Sequence, residues 1–375
     1  MIGTGFMGRV HLEALRRVEN VDVVEIAATS QDKARAAAAG YNVLNATGDW
    51  QDVIRDPSID AVHVTTPNVS HFPIVKAALE AGKHVLCEKP LAMSVEEAQI
   101  LTDLVAAKKL RGGLCHNLRY YPMVQQMRRM REAGSFGDIL VVQGTYSQDW
   151  MLYESDWNWR VDPKVSGDSR VMADIGSHFF DMAEHVTGLK VSAVCSDFQI
   201  FYPTRKQPKG GGESFSGKLG AAGETVDTPI VTEDFGATLF RMGRARGAMT
   251  ASQVSAGRKN GLVLEIYGTK GGVTWRQESP EELWLGHRDA PNQVLLKDPS
   301  LMGEKARGFA DYPGGHTEGY PDTFKQLFRS IYDYIDRGDF TQPRRFPTFE
   351  DGHQEILVCQ AILESQRERA WATVD

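Results

Sequence analysis

The stretch Gly3-Thr4-Gly5-Phe6-Met7-Gly8, near the start of the chain, decides its fold. It matches the pattern GxGxxG and leads into apolar positions at helical spacing between Arg9 and Val18. Such a turn lets backbone N–H groups at a helix N-terminus approach a pyrophosphate. The alternative is a tight turn that binds nothing. We predict a dinucleotide-binding turn with cofactor contacts from Gly3, Gly5, Phe6, Met7 and Gly8.

Strands and helices alternate after this turn. Val21–Ala28 is predicted to be a strand, Asp32–Ala39 a helix and Ile59–Thr65 a second, buried strand. This order predicts a parallel sheet with helices packed on it. Only Met1 and Ile2 precede Gly3, so either the recorded start is internal to the reading frame or the domain has a stunted first strand. This strand is central in the topology, so its loss should lower stability.

The loop after Val21–Ala28 bears on the choice between NAD and NADP. An acid ~20 residues beyond the glycines would bind the ribose of NAD, and an arginine there would accept the phosphate of NADP. This chain has Ala28-Thr29-Ser30-Gln31 at that point, which provides neither. Lys33 and Arg35 could serve a phosphate, although charges on an exposed helix are usually only solvated. We predict NAD, with contacts from Thr29 and Ser30, and leave NADP open.

Two further strands end in polar loops. Ile59–Thr65 is followed by Thr66-Pro67-Asn68-Val69-Ser70-His71, and the predicted strand His84–Cys87 is followed by Glu88-Lys89-Pro90. Ligands of open parallel sheets lie outside the carboxyl ends of the strands. Helix capping by Asn68 or Ser70 is the alternative for the first loop. We predict cofactor contacts from Thr66, Pro67, Asn68, His71, Glu88 and Lys89.

Beyond about Arg119 the pattern changes from alternation to runs of strands. These runs predict a second domain with a largely antiparallel sheet. Pro203–Pro229, rich in Gly, Ser and Lys, is predicted to be a long exposed loop. The predicted strands are Ile139–Tyr146, Phe235–Phe240, Gly247–Gln253, Leu262–Tyr267 and Gly272–Trp275.

A predicted helix, Val171–Val186, carries Asp174, His178, Asp181 and His185 at offsets of four, three and four. These offsets place the four polar side chains on one stripe. A catalytic pair, a metal site and a solvated helix face are the alternatives. A metal is disfavoured because no motif supplies a third ligand. We predict that His185 interacts with the helix dipole and that Asp181 caps the helix or pairs with an arginine, which leaves Asp174 and His178 as the working pair.

The glycine turn, Thr66-Pro67-Asn68 with His71, Glu88-Lys89-Pro90 and Asp174-Ile175-Gly176-Ser177-His178 together resemble the Gfo/Idh/MocA family of oxidoreductases over nearly the whole chain. The resemblance implies an α/β fold with an N-terminal Rossmann domain, residues 1–119. It also implies a C-terminal α+β domain, residues 120–375, with a large, open, mostly antiparallel sheet. The C-terminal helix is a candidate to pack back on the first domain.

The resemblance also implies catalytic roles for Lys89, Asp174 and His178, and a cis peptide bond before Pro90. Oxidation of a secondary alcohol removes the hydroxyl proton as hydride leaves for the nicotinamide, and a histidine pKa of ~6.5 suits that transfer. Lys89 would stabilise the developing alkoxide, and either residue could take the proton. Alternatively, Lys89 only neutralises Glu88. The catalytic interpretation requires Lys89 and His178 to meet over one face of the coenzyme.

Aromatic residues suggest the substrate class. Trp150, Tyr153, Trp157 and Trp159 are close in sequence, and flat rings beside polar groups can bind a sugar. A subunit contact or a small satellite core is the alternative. The predicted substrate contacts, some implied only by the resemblance, are Lys89, Tyr120, Gln148, Trp150, Trp157, Arg160, Asp174, His178 and His316, with Glu318 as a further candidate. By resemblance, the cofactor is also bordered by Asn117, Arg119, Trp159 and Arg160.

Composition limits the partners. The chain has 375 residues, a net charge of -7 and a pI near 5.9, which disfavours nucleic acid and anionic membranes. No apolar run is long enough for a membrane span. The four cysteines are widely spaced and form no CxxC pair, which favours a reducing, cytoplasmic location and no metal cage. An exposed sheet face predicts a homodimer or homotetramer.

These observations predict an NAD(P)-dependent dehydrogenase that transfers hydride between a secondary hydroxyl of a pyranose, glycoside or cyclitol and nicotinamide. An NAD-dependent glycosidase that oxidises, eliminates and reduces again is the alternative. A cofactor-sensing protein without catalysis is a third possibility, which the presence of Lys89, Asp174 and His178 argues against.

Overall fold

The computed structural model describes residues 1–209 and 223–375. Contacts divide the chain into two compact units. The first contains Met1–Asn117 and Tyr320–Ile356, and the second contains Leu118–Gly319 and Leu357–Asp375. These units differ from the predicted domains because Tyr320–Ile356 groups with the N-terminal residues.

The described helices and strands are numbered in chain order. The α-helices are α1 Phe6–Leu15, α2 Gln31–Tyr41, α3 Trp50–Arg55, α4 His71–Glu80, α5 Val95–Lys108, α6 Pro122–Glu132, α7 Pro163–Ser166, α8 Ser177–Thr187, α9 Glu304–Arg307, α10 Tyr320–Arg337 and α11 Phe349–Glu368. The strands are β1 Glu25–Ala27, β2 Asn45–Thr47, β3 Ala61–Val64, β4 His84–Cys87, β5 Gly112–Leu114, β6 Ile139–Ser147, β7 Ala193–Gln199, β8 Thr204–Pro208, β9 Thr225–Pro229, β10 Phe235–Met242, β11 Ala245–Ser252, β12 Gly261–Gly268, β13 Gly272–Arg276, β14 Glu282–Gly286, β15 Gln293–Leu296 and β16 Ala372–Thr373.

The first unit is built on parallel strands. β3, β4 and β5 are neighbours in one sheet, and β1 pairs with β2. Ile2 forms parallel bridges to both Ala27 and Val64, so it links the two sheets. Its N–H donates to the His63 carbonyl at 2.9 Å, and its carbonyl accepts the Thr65 N–H at 2.9 Å. Ile2 therefore lies at the central position expected for the first strand, as an isolated bridge and not as a regular strand.

The strands of the first unit have uninterrupted apolar sequences because both of their faces are buried in its core. Val62, Val64 and Val85 are at most 1% exposed, as expected for parallel strands covered on both faces. Phe349, which begins α11, belongs to the same apolar cluster. Helix α10, not among the predicted elements, packs against α1.

The second unit is built on a nine-stranded sheet. Its strand order is β15-β14-β13-β12-β6-β11-β10-β7-β16, and every neighbouring pair is antiparallel except β6 and β11. Phe179 and Phe180 of α8 pack edge-to-face on Phe240 of β10, with ring centroids 6.1 and 5.4 Å apart. The predicted fold class, a Rossmann-like domain followed by a domain with a mostly antiparallel sheet, is confirmed.

The prediction of a long loop over Pro203–Pro229 is wrong at both ends of the segment, where the structure has strands. Strands β8 and β9 form an antiparallel pair there, and residues 210–222 lie outside the described part of the chain. Opposite charges across the pair favour it: Lys206 Nζ lies 2.6 Å from Asp227 Oδ1. The Gly- and Ser-rich composition of the middle of this segment concealed its two strands. None of the described helices is long and apolar enough to cross a membrane.

Candidate active site

The three glycines of the first turn have different surroundings. Gly3 has a φ of +105°, and a side-chain Cβ there would lie 2.8 Å from the Thr65 carbonyl. A Cβ on Gly8 would lie 2.3 Å from the Gly3 carbonyl oxygen, so α1 packs tightly on the turn. A Cβ on Gly5 would meet no atom within 4 Å. This pattern fits a pyrophosphate site, where the middle glycine leaves room for the ligand and the others shape the turn.

We predict that Gly3→Ala and Gly5→Ala will differ in stability. Alanine at position 3 would require a left-handed backbone and a close contact, so Gly3→Ala should lose about 1–3 kcal/mol of unfolding free energy. Gly5→Ala should keep the wild-type melting temperature and weaken NAD binding, because its methyl group would occupy the space near the pyrophosphate. Thermal unfolding and NAD titration measure both effects.

The control is Gly40→Ala, because a Cβ on Gly40 of α2 also meets no atom within 4 Å. It should bind NAD as the wild type does. Equal NAD affinity in the Gly5 and Gly40 variants would contradict a pyrophosphate position over Gly5.

Three predicted loops meet at the ends of these strands. Thr65 Oγ1 donates to the Gly3 carbonyl at 3.0 Å, which ties the third strand's end to the glycine turn. The His71 ring lies 2.8 Å from the Thr66 carbonyl through Nε2 and 2.7 Å from the Pro90 carbonyl through Nδ1. Burial lowers the pKa of His71, while both carbonyls favour its charged form. The Lys89–Pro90 bond is cis, as the family resemblance implied.

The predicted ribose contacts lie at the start of α2. Ser30 caps this helix by accepting the Lys33 N–H at 3.3 Å, and Lys33 Nζ donates to Thr29 Oγ1 at 3.3 Å. The charged side chain of Lys33 therefore contacts Thr29, although no acid occupies the loop after β1.

Asn117, another predicted cofactor contact of this unit, donates from Nδ2 to Thr323 Oγ1 of α10 at 2.8 Å.

The polar helix of the second unit is not a regular α-helix. Met172–Gly176 form a π-helix, and α8 starts only at Ser177. The single polar stripe predicted for Asp174 to His185 is therefore wrong, because a π-turn uses i→i+5 hydrogen bonds and shifts the spacing. The buried carboxylate of Glu233 accepts the N–H groups of Arg170 and Met172 at the start of this segment.

Asp174 is held by two polar partners from different segments. Arg160 Nε lies 3.2 Å from its Oδ1, and Gln253 Nε2 donates to its Oδ2 at 3.0 Å. Asp174 and Arg160 both keep 16% of their side-chain surface exposed, so the pair is accessible. Gln253 was not among the predicted site residues, since it only ends a predicted strand.

His178 is partly exposed, whereas its neighbours Ser177 and Phe179 are buried. Its ring centroid lies 6.3 Å from that of Tyr146, whose hydroxyl donates to Asn260 Oδ1 at 2.7 Å. Burial raises the pKa of Tyr146 well above its usual value, so this hydroxyl stays protonated. The first turn of α8 thus presents His178 beside a neutral phenol.

Gln148 joins the same polar group. Its Nε2 donates to Asn260 at 2.8 Å, and its Oε1 accepts the Trp150 indole N–H at 2.7 Å. Trp150 and Trp157 also pack on a small cluster that includes Met151. The satellite-core alternative therefore describes part of the aromatic segment.

Two other residues of the predicted stripe have structural partners. Asp181 binds Arg119 through two guanidinium nitrogens, with one Nε–Oδ2 distance of 2.8 Å. The proposed arginine pairing of Asp181 is thus confirmed. His185 is not a charged dipole partner: burial, together with Arg119, Arg128 and other cations, holds its pKa well below the usual value. Its Nδ1 lies 3.2 Å from Arg128 Nη1. In a neutral ring this nitrogen can accept a hydrogen bond from the Arg128 guanidinium.

The remaining predicted residues differ in burial. The Arg160 guanidinium stacks over the Trp159 ring at 4.4 Å, and Tyr120 is buried against Phe309. His316 lies in an exposed segment. Glu318 is buried and pairs with Lys297 at 2.8 Å, so it stabilises the fold around that lysine.

A buried ionic cluster supports both the π-helix and the aromatic segment, residues 150–159. Asp234 pairs with Arg170, just before the π-helix, and with Arg205 of β8, whose Nη2 lies 2.7 Å away. Arg205 also donates to the carbonyls of Met151 and Tyr153, at 3.0 and 2.8 Å. One carboxylate therefore links the π-helix to the aromatic segment. Sequence reasoning missed this cluster, whose members are far apart in the chain.

Comparison with known proteins identifies the family. The profile of an oxidoreductase family with an NAD-binding Rossmann fold, GFO_IDH_MocA, matches residues 1–114. A GFO/IDH/MocA C-terminal domain matches residues 124–274. Levoglucosan dehydrogenase from Pseudarthrobacter phenanthrenivorans is 32% identical over 397 residues, covering 100% of this chain and 97% of that protein.

Solved structures agree with the sequence match. Levoglucosan dehydrogenase in complex with NADH and levoglucosan is 29% identical, with a TM-score of 0.88 and coverage of 100% of this chain and 98% of that one. An inositol dehydrogenase homologue complexed with NAD+ from Azotobacter vinelandii is 25% identical, with a TM-score of 0.87 and coverage of 99% and 96%. The chain belongs to the Gfo/Idh/MocA family and is an NAD-binding oxidoreductase.

Proposed function

We propose that this protein oxidises one secondary hydroxyl of a pyranose, glycoside or cyclitol to a ketone, reversibly, with NAD. The observation that carries the proposal is the junction of the π-helix with α8, where Asp174 and His178 are partly exposed while Ile175, Ser177 and Phe179 are buried. π-Helical turns occur frequently at functional sites. The full-length likeness to a dehydrogenase whose structure contains NADH and levoglucosan supports the substrate class.

The chemistry assigns a role to each polar group. NAD, when bound, accepts the hydride from the carbinol carbon. The Lys89 ammonium stabilises the developing alkoxide, and the His178 imidazole takes the hydroxyl proton. Asp174, fixed by Arg160 and Gln253, accepts a hydrogen bond from a neighbouring sugar hydroxyl.

The other predicted contacts remain part of the proposal. The proposed cofactor contacts are Gly3, Gly5, Phe6, Met7, Gly8, Thr29, Ser30, Thr66, Pro67, Asn68, His71, Glu88, Lys89, Asn117, Arg119, Trp159 and Arg160. The proposed substrate contacts are Lys89, Tyr120, Gln148, Trp150, Trp157, Arg160, Asp174, His178 and His316.

A panel of glucosides, anhydrosugars and inositols tests the proposal. Each compound is incubated with the protein and NAD, and NADH absorbance is recorded; the panel is then repeated with NADP. We expect NADH from at least one sugar or cyclitol, with a ketone product by mass spectrometry. Release of free aglycone without NADH would instead indicate the NAD-dependent glycosidase. No turnover of any compound in either direction would contradict the proposal.

We also predict that the exposed face of the nine-stranded sheet pairs with a second copy of the chain. Leu239 of β10 is 52% exposed, and Val141 of β6 is 38% exposed on the same face. Light scattering should show at least two chains per particle, and Leu239→Arg should shift the particle towards one chain. Leu44→Arg, on a residue 95% exposed in the first unit, is the control. A monomeric wild-type protein would contradict the pairing.

A further inference from the structure

A chain of buried polar side chains runs behind Lys89 in the first unit. His11 Nε2 lies 2.9 Å from Glu88 Oε1, and His11 Nδ1 lies 2.9 Å from His63 Nδ1. His63 Nε2 in turn lies 2.7 Å from the Tyr332 hydroxyl. His11, His63 and Glu88 are 0%, 3% and 7% exposed. Both nitrogens of each histidine are therefore engaged.

The carboxylate at one end of this chain contacts the proposed catalytic loop. The second oxygen of Glu88, Oε2, accepts the backbone N–H of Lys89 at 3.3 Å. Burial opposes ionisation of Glu88, but the hydrogen bond from His11 and the charges of His11 and Lys89 hold its pKa below the usual value. An ionised carboxylate therefore connects α1, the helix that begins at the glycine turn, to Lys89.

The same side chains could in principle hold a metal ion. His11, Glu88 and Cys115 form the group of possible ligands found in residues 1–209 and 223–375. However, His11 Nε2 and Glu88 Oε1 are in direct hydrogen-bond contact at 2.9 Å, which leaves no room for an ion between them. Burial and nearby Glu88 also raise the pKa of Cys115 well above the usual value, and a thiol is a poor ligand. Hydrogen bonding explains the cluster better.

A purely structural role does not explain why these groups are charged or polar. The rings of Phe324 and Phe328 in α10 pack on His11, with centroids 5.8 and 4.8 Å away, so the surroundings are apolar. Apolar residues of similar volume commonly replace a buried ion pair without loss of stability. The hydrogen bonds of Glu88 instead lead to the backbone N–H of Lys89, the residue proposed to stabilise the alkoxide.

Proton placement along the chain follows from these contacts. Glu88 is ionised, so His11 must donate from Nε2. Burial, with the charge of His11, holds the pKa of His63 well below the usual value, so His63 is neutral. A neutral His63 carries one ring proton: if Nδ1 carries it, Nδ1 donates to His11 and Nε2 accepts the Tyr332 hydroxyl, and if Nε2 carries it, both roles are reversed. The tautomer of His63 and the proton on His11 Nδ1 are therefore coupled.

Building on the proposed function, we propose that His11 is a positioning residue for Lys89. Its imidazole fixes the Glu88 carboxylate, which fixes the Lys89 backbone, and His63 with Tyr332 fixes the imidazole. The charged and titratable groups that act on this chain are Lys89, His71, Cys87, Cys115, Glu355 and the Met1 amino group.

His11→Phe and His11→Gln test the inference as a pair. Phenylalanine keeps an aromatic ring but removes both hydrogen-bonding nitrogens, whereas a glutamine N–H can reach the position of Nε2. We expect His11→Phe to lower kcat ~10- to 100-fold, because small misplacements of reacting groups cost rates of this order. The sugar KM and the NAD dissociation constant should stay within about twofold. His11→Gln should recover most of the lost kcat, a rescue that a packing role would not produce.

Backbone hydrogen exchange gives a readout that does not depend on turnover. The Lys89 amide should exchange faster in His11→Phe than in wild type or in His11→Gln, measured in the protein without sugar. If the wild-type protein oxidises no sugar, the proposed function is wrong. The exchange rate of the Lys89 amide would still show whether His11 positions Lys89. Unchanged kcat and unchanged Lys89 exchange in His11→Phe would overturn it.

Two further variants cover failure of His11→Phe to fold. Glu88→Leu removes the carboxylate that accepts the Lys89 N–H and leaves the sequence of α1 unchanged; lowered kcat with retained NAD affinity would support the inference, and wild-type kcat would overturn it. Tyr332→Phe removes only the last hydroxyl and should lower kcat severalfold. Its control is Tyr334→Phe, which should keep the wild-type kcat. The Tyr334 hydroxyl donates to the Phe340 and Gln342 carbonyls and has no contact with the buried series of side chains from Glu88 to Tyr332.

Discussion

Replacing Lys89 with methionine should lower kcat by ~10² to 10⁴-fold, equivalent to about 3 to 5.5 kcal/mol of activation barrier. Methionine keeps much of the length of the side chain but removes the positive charge that would stabilise the alkoxide. NAD affinity should stay near the wild-type value, because the glycine turn that receives the pyrophosphate is unchanged. Steady-state NADH formation and NAD titration measure the two effects separately.

His178→Gln should show the same separation, since glutamine retains hydrogen bonding but cannot accept the hydroxyl proton. Lys76→Met is the matched control, because Lys76 is a lysine of the same unit with 39% of its side chain exposed, paired with Glu80. It should turn over as the wild type does. Wild-type kcat in both Lys89→Met and His178→Gln would remove these residues from the chemistry.

The cofactor side of the site is predictable from sequence because its signals are local. GxGxxG lies at the start of α1, and Glu88-Lys89-Pro90 follows the strand His84–Cys87, whose predicted bounds match the structure. Parallel topology then requires the loops to meet at one sheet edge, and the Thr65 and His71 contacts show that they do.

The proposed substrate site is less predictable from sequence, because its residues are held by partners that are distant in the chain. Periodicity assumes regular α-helical spacing, so it cannot reveal the π-helix, whose Met172 N–H is taken by Glu233, 61 residues away. His11 illustrates a signal that was available: it is a histidine on the buried face of α1, beside Leu12. A buried polar side chain in an apolar stripe calls for a partner.

Asp234→Asn should destabilise the second unit by about 3–5 kcal/mol, the usual cost of breaking a buried ion pair from one side. Asp234 is 0% exposed, and its Oδ1 contacts both Arg170 and Arg205. Its Oδ2 accepts the N–H groups of Phe201 and Tyr202 at 2.8 and 3.1 Å. An asparagine keeps the volume but leaves two buried guanidinium groups without their counter-charge, which chemical denaturation should register.

The pH dependence of this loss has a definite sign. Burial opposes ionisation of Asp234, but Arg170 and Arg205 hold its pKa below the usual value. Its contribution to stability is therefore present above the pKa of the unfolded chain and is lost as the pH falls through the lower pKa of the folded protein. The difference in unfolding free energy between wild type and Asp234→Asn should shrink in strong acid.

Asp227→Asn is the control. Asp227 pairs with Lys206 but is 63% exposed, so removal of its charge should cost at most about 1 kcal/mol of unfolding free energy. If both variants lose equally little stability at neutral pH, Asp234 does not hold the π-helix and the aromatic segment together.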